Sequence, residues 1–190
     1  MTTATIAKPI LLTAAEFAAR PEPADGSKEE LVRGEVVTMP PPGFTHGIVQ
    51  LNIGYLLKAY LKGNRIGRAT VESGLVTEQE PDSVRGPDVA YWSYERVPAG
   101  ESPAVYPDVA ADLVAEVLSP GNSRKKLAAK IREYFASGVR LVWVVDPDGM
   151  TVTVYTRPGD GTVLWSDATL TAGDVLPGFT CPVASLFEAE

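Results

Sequence analysis

The chain has 190 residues and 45% hydrophobic content, enough to bury one substantial core, and no composition shift divides it, so residues 1–190 read as one domain with 1–11 as a flexible tail. Seventeen Lys and Arg against 24 Asp and Glu leave a net charge of −7, which excludes a general attraction for phosphate backbones, so any nucleic-acid contact must be local. One histidine, His46, and one cysteine, Cys181, exclude an internal disulfide and Cys/His metal cages; the composition fits a reducing cytoplasm as the expected location, and no apolar run is long enough for a signal peptide or a membrane span.

Thr13-Ala14-Ala15-Glu16 has the spacing of a capping box and predicts a short helix to about Arg20, stopped by Pro21 and Pro23. Glu30–Met39 reads as a hairpin about Arg33-Gly34, ended by Pro40-Pro41-Pro42-Gly43. Thr45 is the expected cap of a core helix in which Val49, Ile53, Leu56 and Tyr60 recur at helical spacing up to Gly63. Arg68–Glu78 alternates as one strand, 81–86 reads as a polar loop, and Asp88 opens a short β-prone run through Trp92. The stretch 97–107, with its prolines and Gly100, is a surface connection.

Leu113, Val114, Val117 and Leu118 form an apolar run bounded by Ser119-Pro120-Gly121, the pattern of a buried strand. Glu116 lies inside it. A carboxylate there loses hydration that aliphatic neighbours cannot replace, so it requires a partner, a metal or a raised pKa. Leu127, Ile131, Tyr134 and Phe135 then mark one face of a helix that Gly138 stops. Leu141–Val145 is a second buried strand, Asp146-Pro147-Asp148-Gly149 its turn, and 151–156 with 162–165 a closing meander. The tail from Ala172 to Phe187 is loop-rich and carries no chemical signal.

Strand alternation puts Glu116 on the face of Val114 and Leu118, and Lys130 falls at the margin of the helix's buried stripe, from which its ammonium can reach over the sheet. Asp88, at its strand's start, is expected to be less buried. These three groups at one sheet edge outline a hard-cation site, because Mg²⁺ is typically held by one or two carboxylates with waters and substrate phosphates completing the shell. His46 reads as a hydrogen-bonded structural residue and stays outside the catalytic set.

The order of ELVRGEVV, GPDVAYW, ADLVAEVLSP, K..EYFASGV and VWVVDP resembles the Uma-two family of restriction-endonuclease-like proteins in the PD-(D/E)xK nuclease superfamily, from about Leu12 to Tyr155 and more weakly beyond. The resemblance implies an α/β (α+β) fold with a restriction-endonuclease-like core: a central mixed β-sheet flanked by helices, with an N-terminal hairpin and a C-terminal meander. It implies an endonuclease that hydrolyses phosphodiester bonds, with DNA as expected substrate and Mg²⁺ or Mn²⁺ as cofactor. On the same ground Asp88 and Glu116 match the metal-holding acids, Glu30 an additional acid, and a homodimer is expected from the wider superfamily. Leu118 stands where the usual strand lysine would be, and Lys130, on the following helix, matches its replacement. Lys126 occupies a position where relatives often carry an acid. The alternative reading is a binding or assembly protein that keeps the fold without cleavage, favoured by the acidic balance and the lack of a basic stripe.

Overall fold

The computed structural model describes residues 11–119 and 123–189. The expected N-terminal tail, Leu11 excepted, and the Pro120-Gly121 turn lie outside the described residues.

Helix α1 (Ala14–Ala18) carries the full capping box: Glu16 N donates to Thr13 Oγ1 at 3.2 Å, and Thr13 N donates to the Glu16 carboxylate at 2.8 Å. The hairpin β1 (Lys28–Val32) and β2 (Glu35–Met39) turns on Arg33 and Gly34, both left-handed at φ 51 and 81. Two left-handed residues match the twist of the strands, and Arg33 is held in this uncommon conformation because its N–H donates to Ser83 Oγ at 2.9 Å. Helix α2 (Phe44–Gly63) follows, then β3 (Gly67–Val71), β4 (Leu75–Glu78), β5 (Ser83–Arg85), β6 (Val89–Ser93) and β7 (Leu113–Val117). Helix α3 (Arg124–Ser137) ends on Gly138 at φ 103, and β8 (Leu141–Asp146), β9 (Thr151–Tyr155) and β10 (Gly161–Leu164) complete the main sheet.

That sheet has six strands in the order β10-β9-β8-β7-β6-β3, mixed because only β7 and β8 run parallel. The parallel pair requires a crossover, and α3 supplies it. A second, four-stranded sheet runs β2-β1-β5-β4. Val49, Ile53, Leu57 and Leu61 of α2 pack on one face of the main sheet with Leu113, Ala115, Val117 and Trp143. Ile131 and Tyr134 of α3 cover the other, with Ala90, Trp92, Val114 and Val142.

Five local expectations are corrected. The cap of α2 is Gly43, whose extended backbone begins the helix two residues before Thr45. Its buried line continues through Leu57 and Leu61, while Leu56 and Tyr60 pack at the margin. The stretch 68–78 is two strands in different sheets, because Glu72 turns left-handed at φ 53 and breaks the run. The expected polar loop at 81–86 contains β5, in which Ser83 and Val84 are buried between β1 and β4. The C-terminal tail, finally, is part of the core: β11 (Thr169–Thr171) pairs with β12 (Thr180–Pro182), and Leu170, Leu176, Phe179, Val183 and Leu186 close over α2 and the sheet.

Candidate active site

Strand register builds the site. Val71 pairs with Val89 and Val89 with Ala115, and just past these last pairs Glu72 N–H donates to the Asp88 carbonyl, which brings Glu72, Asp88 and Glu116 together. Three carboxylates thus stand in a row, Glu72 just after β3, Asp88 just before β6 and Glu116 within β7. Directly opposed like charges are destabilising, so the row requires cations. Lys130 provides one: its Nζ lies 2.8 Å from Glu116 Oε1 and 2.9 Å from Glu30 Oε1. Glu30 reaches in from β1 of the second sheet, where Arg85 Nη1 at 3.0 Å and the Gly86 N–H at 3.1 Å also donate to it. The second cation is Lys28, two residues before Glu30 on the same face of β1. Its Nζ is 2.7 Å from Glu72 Oε2 and 3.2 Å from Asp88 Oδ1.

Around Asp88 the packing is polar on every side. Val117 N–H donates to Oδ2 at 2.7 Å, so the side chain takes a ladder acceptor's place, and His46 Nε2 from α2 lies 3.3 Å from the same oxygen. Burial alone would raise the Asp88 pKa, but the His46 hydrogen bond, the Lys28 charge and the Val117 N–H outweigh it and hold the carboxyl below its ordinary value. Glu116 goes the other way. Burial raises it most, Lys130 works against this, and the Asp88 and Glu30 charges add to the rise, so the net direction is upward. Tyr134, fully buried, donates its hydroxyl to Glu116 Oε1 at 2.5 Å. Glu30 stays below its ordinary value, because Lys130 and Arg85 overcome the cost of burial. Lys130 stays protonated, since two carboxylates share its ammonium and more than offset desolvation.

The structure therefore brings Asp88, Glu116, Lys130 and Glu30 together. It corrects two details of their placement. Asp88 is 4% exposed and not a half-open strand end. The cluster lies over interior strands β6 and β7, not at a sheet edge. Lys130 lies where expected, at the margin of the helix's buried stripe with its ammonium reaching over the sheet, and there it meets two acids, Glu116 and Glu30. Sequence reasoning missed Lys28, Glu72 and Tyr134 and set His46 aside. Lys28 had a signal, the two-residue spacing to Glu30, and Tyr134 had another, the four-residue spacing to Lys130; Glu72 had none.

The donor chemistry fits a hard divalent cation. Asp88 and Glu116 are opposed oxygen donors whose charge ammonium groups already balance, and hard cations take oxygen ligands. Among the described residues no group of three or more His, Cys, Asp or Glu side chains closes into a metal cage, so such an ion would draw its remaining ligands from water and substrate.

A mixed sheet with a parallel central pair, a crossover helix over its face and strand acids answered by a helix lysine defines a restriction-endonuclease-like α/β protein. The chain belongs to the Uma2 family, described as "Putative restriction endonuclease", whose family model matches residues 14–184. It is similar to a solved structure from Anabaena variabilis titled a "putative nuclease belonging to DUF820", with 27% identity, a TM-score of 0.78, and coverage of 93% of this chain and 97% of that one. No match is found among curated proteins.

Proposed function

We propose that this protein is a divalent-metal-dependent endonuclease acting on DNA, organised as one restriction-endonuclease-like domain. The family description and the solved structure titled a "putative nuclease" support phosphodiester hydrolysis as the reaction. The observation that carries the reading is Glu116: a strand carboxylate buried opposite Asp88, bonded to Lys130 and Tyr134, with its pKa raised. Asp88 and Glu116 would hold Mg²⁺ or Mn²⁺, which when bound lowers the pKa of a water and neutralises charge on the phosphate. Asp88 stays ionised under the donors of Lys28, His46 and Val117 and keeps a fixed oxygen pair in the site. Lys130 supplies fixed positive charge toward the reacting phosphate, and Glu30, gripped by Arg85, orients that ammonium.

The proposed location is the cytoplasm, consistent with a buried, unpaired Cys181; among the described residues no helix is long and apolar enough to cross a membrane. A second copy is the proposed partner. Phe44, Ile48, Leu51 and Tyr55 on α2 repeat at four-, three- and four-residue steps, the seam of a helix pair, and Phe44, Leu51 and Tyr55 are exposed. Light scattering on wild type and Leu51→Glu tests this, and an unchanged mass would reject it.

Cleavage of supercoiled plasmid with Mg²⁺, Mn²⁺ or EDTA tests the activity. Wild type is expected to nick only with metal, and Glu116→Gln to lose at least roughly 10²-fold in rate while folding normally. One observation favours a non-catalytic binding protein instead: every site carboxylate already has a cationic partner. Metal-independent inactivity of wild type on both DNA and RNA would establish that alternative.

A further inference from the structure

Lys28 is placed as a cation and not as a packing residue. It comes from the second sheet, crosses to the acid row of the first, and sets its ammonium between Glu72 and Asp88. Room for its stem depends on Gly86, where a Cβ would stand 3.1 Å from Lys28 Cε. Glu72 is held to receive it. Its backbone is left-handed, uncommon for a residue with a side chain, and its N–H donates to the Asp88 carbonyl at 3.3 Å. Gln50 Nε2 then donates to Glu72 Oε1 at 2.7 Å and to the Asp88 carbonyl at 3.0 Å, tying the carboxylate to the strand it faces.

The two lysines differ in freedom. Lys130 and Lys28 are similarly covered, at 16% and 22% exposed, but both partners of Lys130 are buried acids, whereas Glu72, the nearer partner of Lys28, is 39% exposed. The Lys28 ammonium is closer to Glu72 than to Asp88, so it can leave the Asp88 oxygen and keep its shorter contact. We propose that Lys28 is an internal stand-in cation: it covers Asp88 Oδ1 in the metal-free protein and withdraws onto Glu72 when a divalent ion takes that oxygen. This rests on the metal-dependent reading above. Glu72 is then a positioning residue, the seat to which the displaced ammonium retires, and the pair sets the ion's affinity.

Calorimetric titration of the full chain with Mn²⁺ tests the idea without recourse to activity. Lys28→Met removes the competitor and is expected to tighten Mn²⁺ binding roughly tenfold, the scale of one charged hydrogen bond. Glu72→Gln removes the seat, leaves the ammonium on Asp88, and is expected to weaken binding roughly threefold or more. The deciding measurement is Glu72→Gln in the Lys28→Met background. Because Glu72 acts through Lys28, its substitution is expected to do nothing there. An equal loss in both backgrounds would mean that Glu72 acts on the ion by simple charge and would overturn the proposal. So would Mn²⁺ binding by wild type that is unchanged or weaker in Lys28→Met, and in that case the nuclease reading survives. If neither wild type nor any variant bound Mn²⁺, both would fall together. Should Lys28→Met not fold, by circular dichroism, Lys28→Gln carries the same cycle.

Discussion

Replacing Lys130 with methionine keeps an unbranched stem of similar length and removes the charge that two buried acids share. Its Nζ lies within 2.9 Å of both Glu116 and Glu30, and the lysine, Glu116 and Glu30 side chains are 16%, 11% and 3% exposed. Water cannot replace the ammonium there. Removing one partner of a buried pair costs about 3–5 kcal/mol, against a total stability of about 5–15 kcal/mol, so the variant is expected to fold but to be markedly weaker at pH 7. Without the ammonium both carboxyls rise in pKa, and Glu116 already stands above its ordinary value. A folded-state pKa above the unfolded one means that the native state binds more protons between the two. The stability deficit is therefore largest at neutral pH and shrinks as pH falls through the raised values toward 5. Urea unfolding at pH 7 and pH 5 measures this, with exposed Lys126→Ala as a control expected to stay within about 0.5 kcal/mol. In a Glu116→Gln background the cost of Lys130→Met is expected to fall by at least about 1 kcal/mol, as it does for residues in one network. A loss below about 1 kcal/mol at pH 7, or one indifferent to pH, would refute the reasoning. Cleavage rates of Lys130 variants accordingly have meaning only per folded molecule.

Two further outcomes follow from packing and from the lone imidazole. A Cβ at Gly67 would stand 2.3 Å from the Trp92 carbonyl and 2.5 Å from the Tyr91 ring, so Gly67→Ala is expected to cost about 1–3 kcal/mol by overpacking and to lower Tm by several degrees in a thermal melt; an unchanged Tm would contradict the strand spacing between β3 and β6. His46 is the one histidine, so its titration by NMR is unambiguous, and the Asp88 hydrogen bond is expected to hold its midpoint above 6.5. A raised folded-state pKa gives stability that is full below 6.5 and lost as pH rises through the raised midpoint. Asp88→Asn is expected to lower the midpoint and flatten that slope, and an identical midpoint in both proteins would separate His46 from Asp88.

The sequence carried what local chemistry decides. The capping box, the Arg33-Gly34 hairpin, the Gly138 stop and the two buried strands around Leu113–Val117 and Leu141–Val145 each depend on residues within a few positions, so their pattern was legible. Glu116 was legible as an anomaly, because a charge inside an apolar run must be answered whatever the fold. What answers it was only partly so. Lys130 and Tyr134 lie on the next helix at helical spacing, but Lys28 and Glu72 reach Asp88 only because two sheets meet and β3 registers against β6. The strand at 83–85 was hidden for a similar reason: three residues of mixed polarity become a strand when β1 and β4 supply hydrogen-bond partners on both sides. The C-terminal tail was hidden too, since Leu170, Leu176 and Leu186 have no period of their own and are buried by the surface they cover. Periodicity records the face an element buries; cross-strand register and the docking of one sheet on another are set by contacts far apart in the chain, and tertiary structure alone fixed which cation meets which acid.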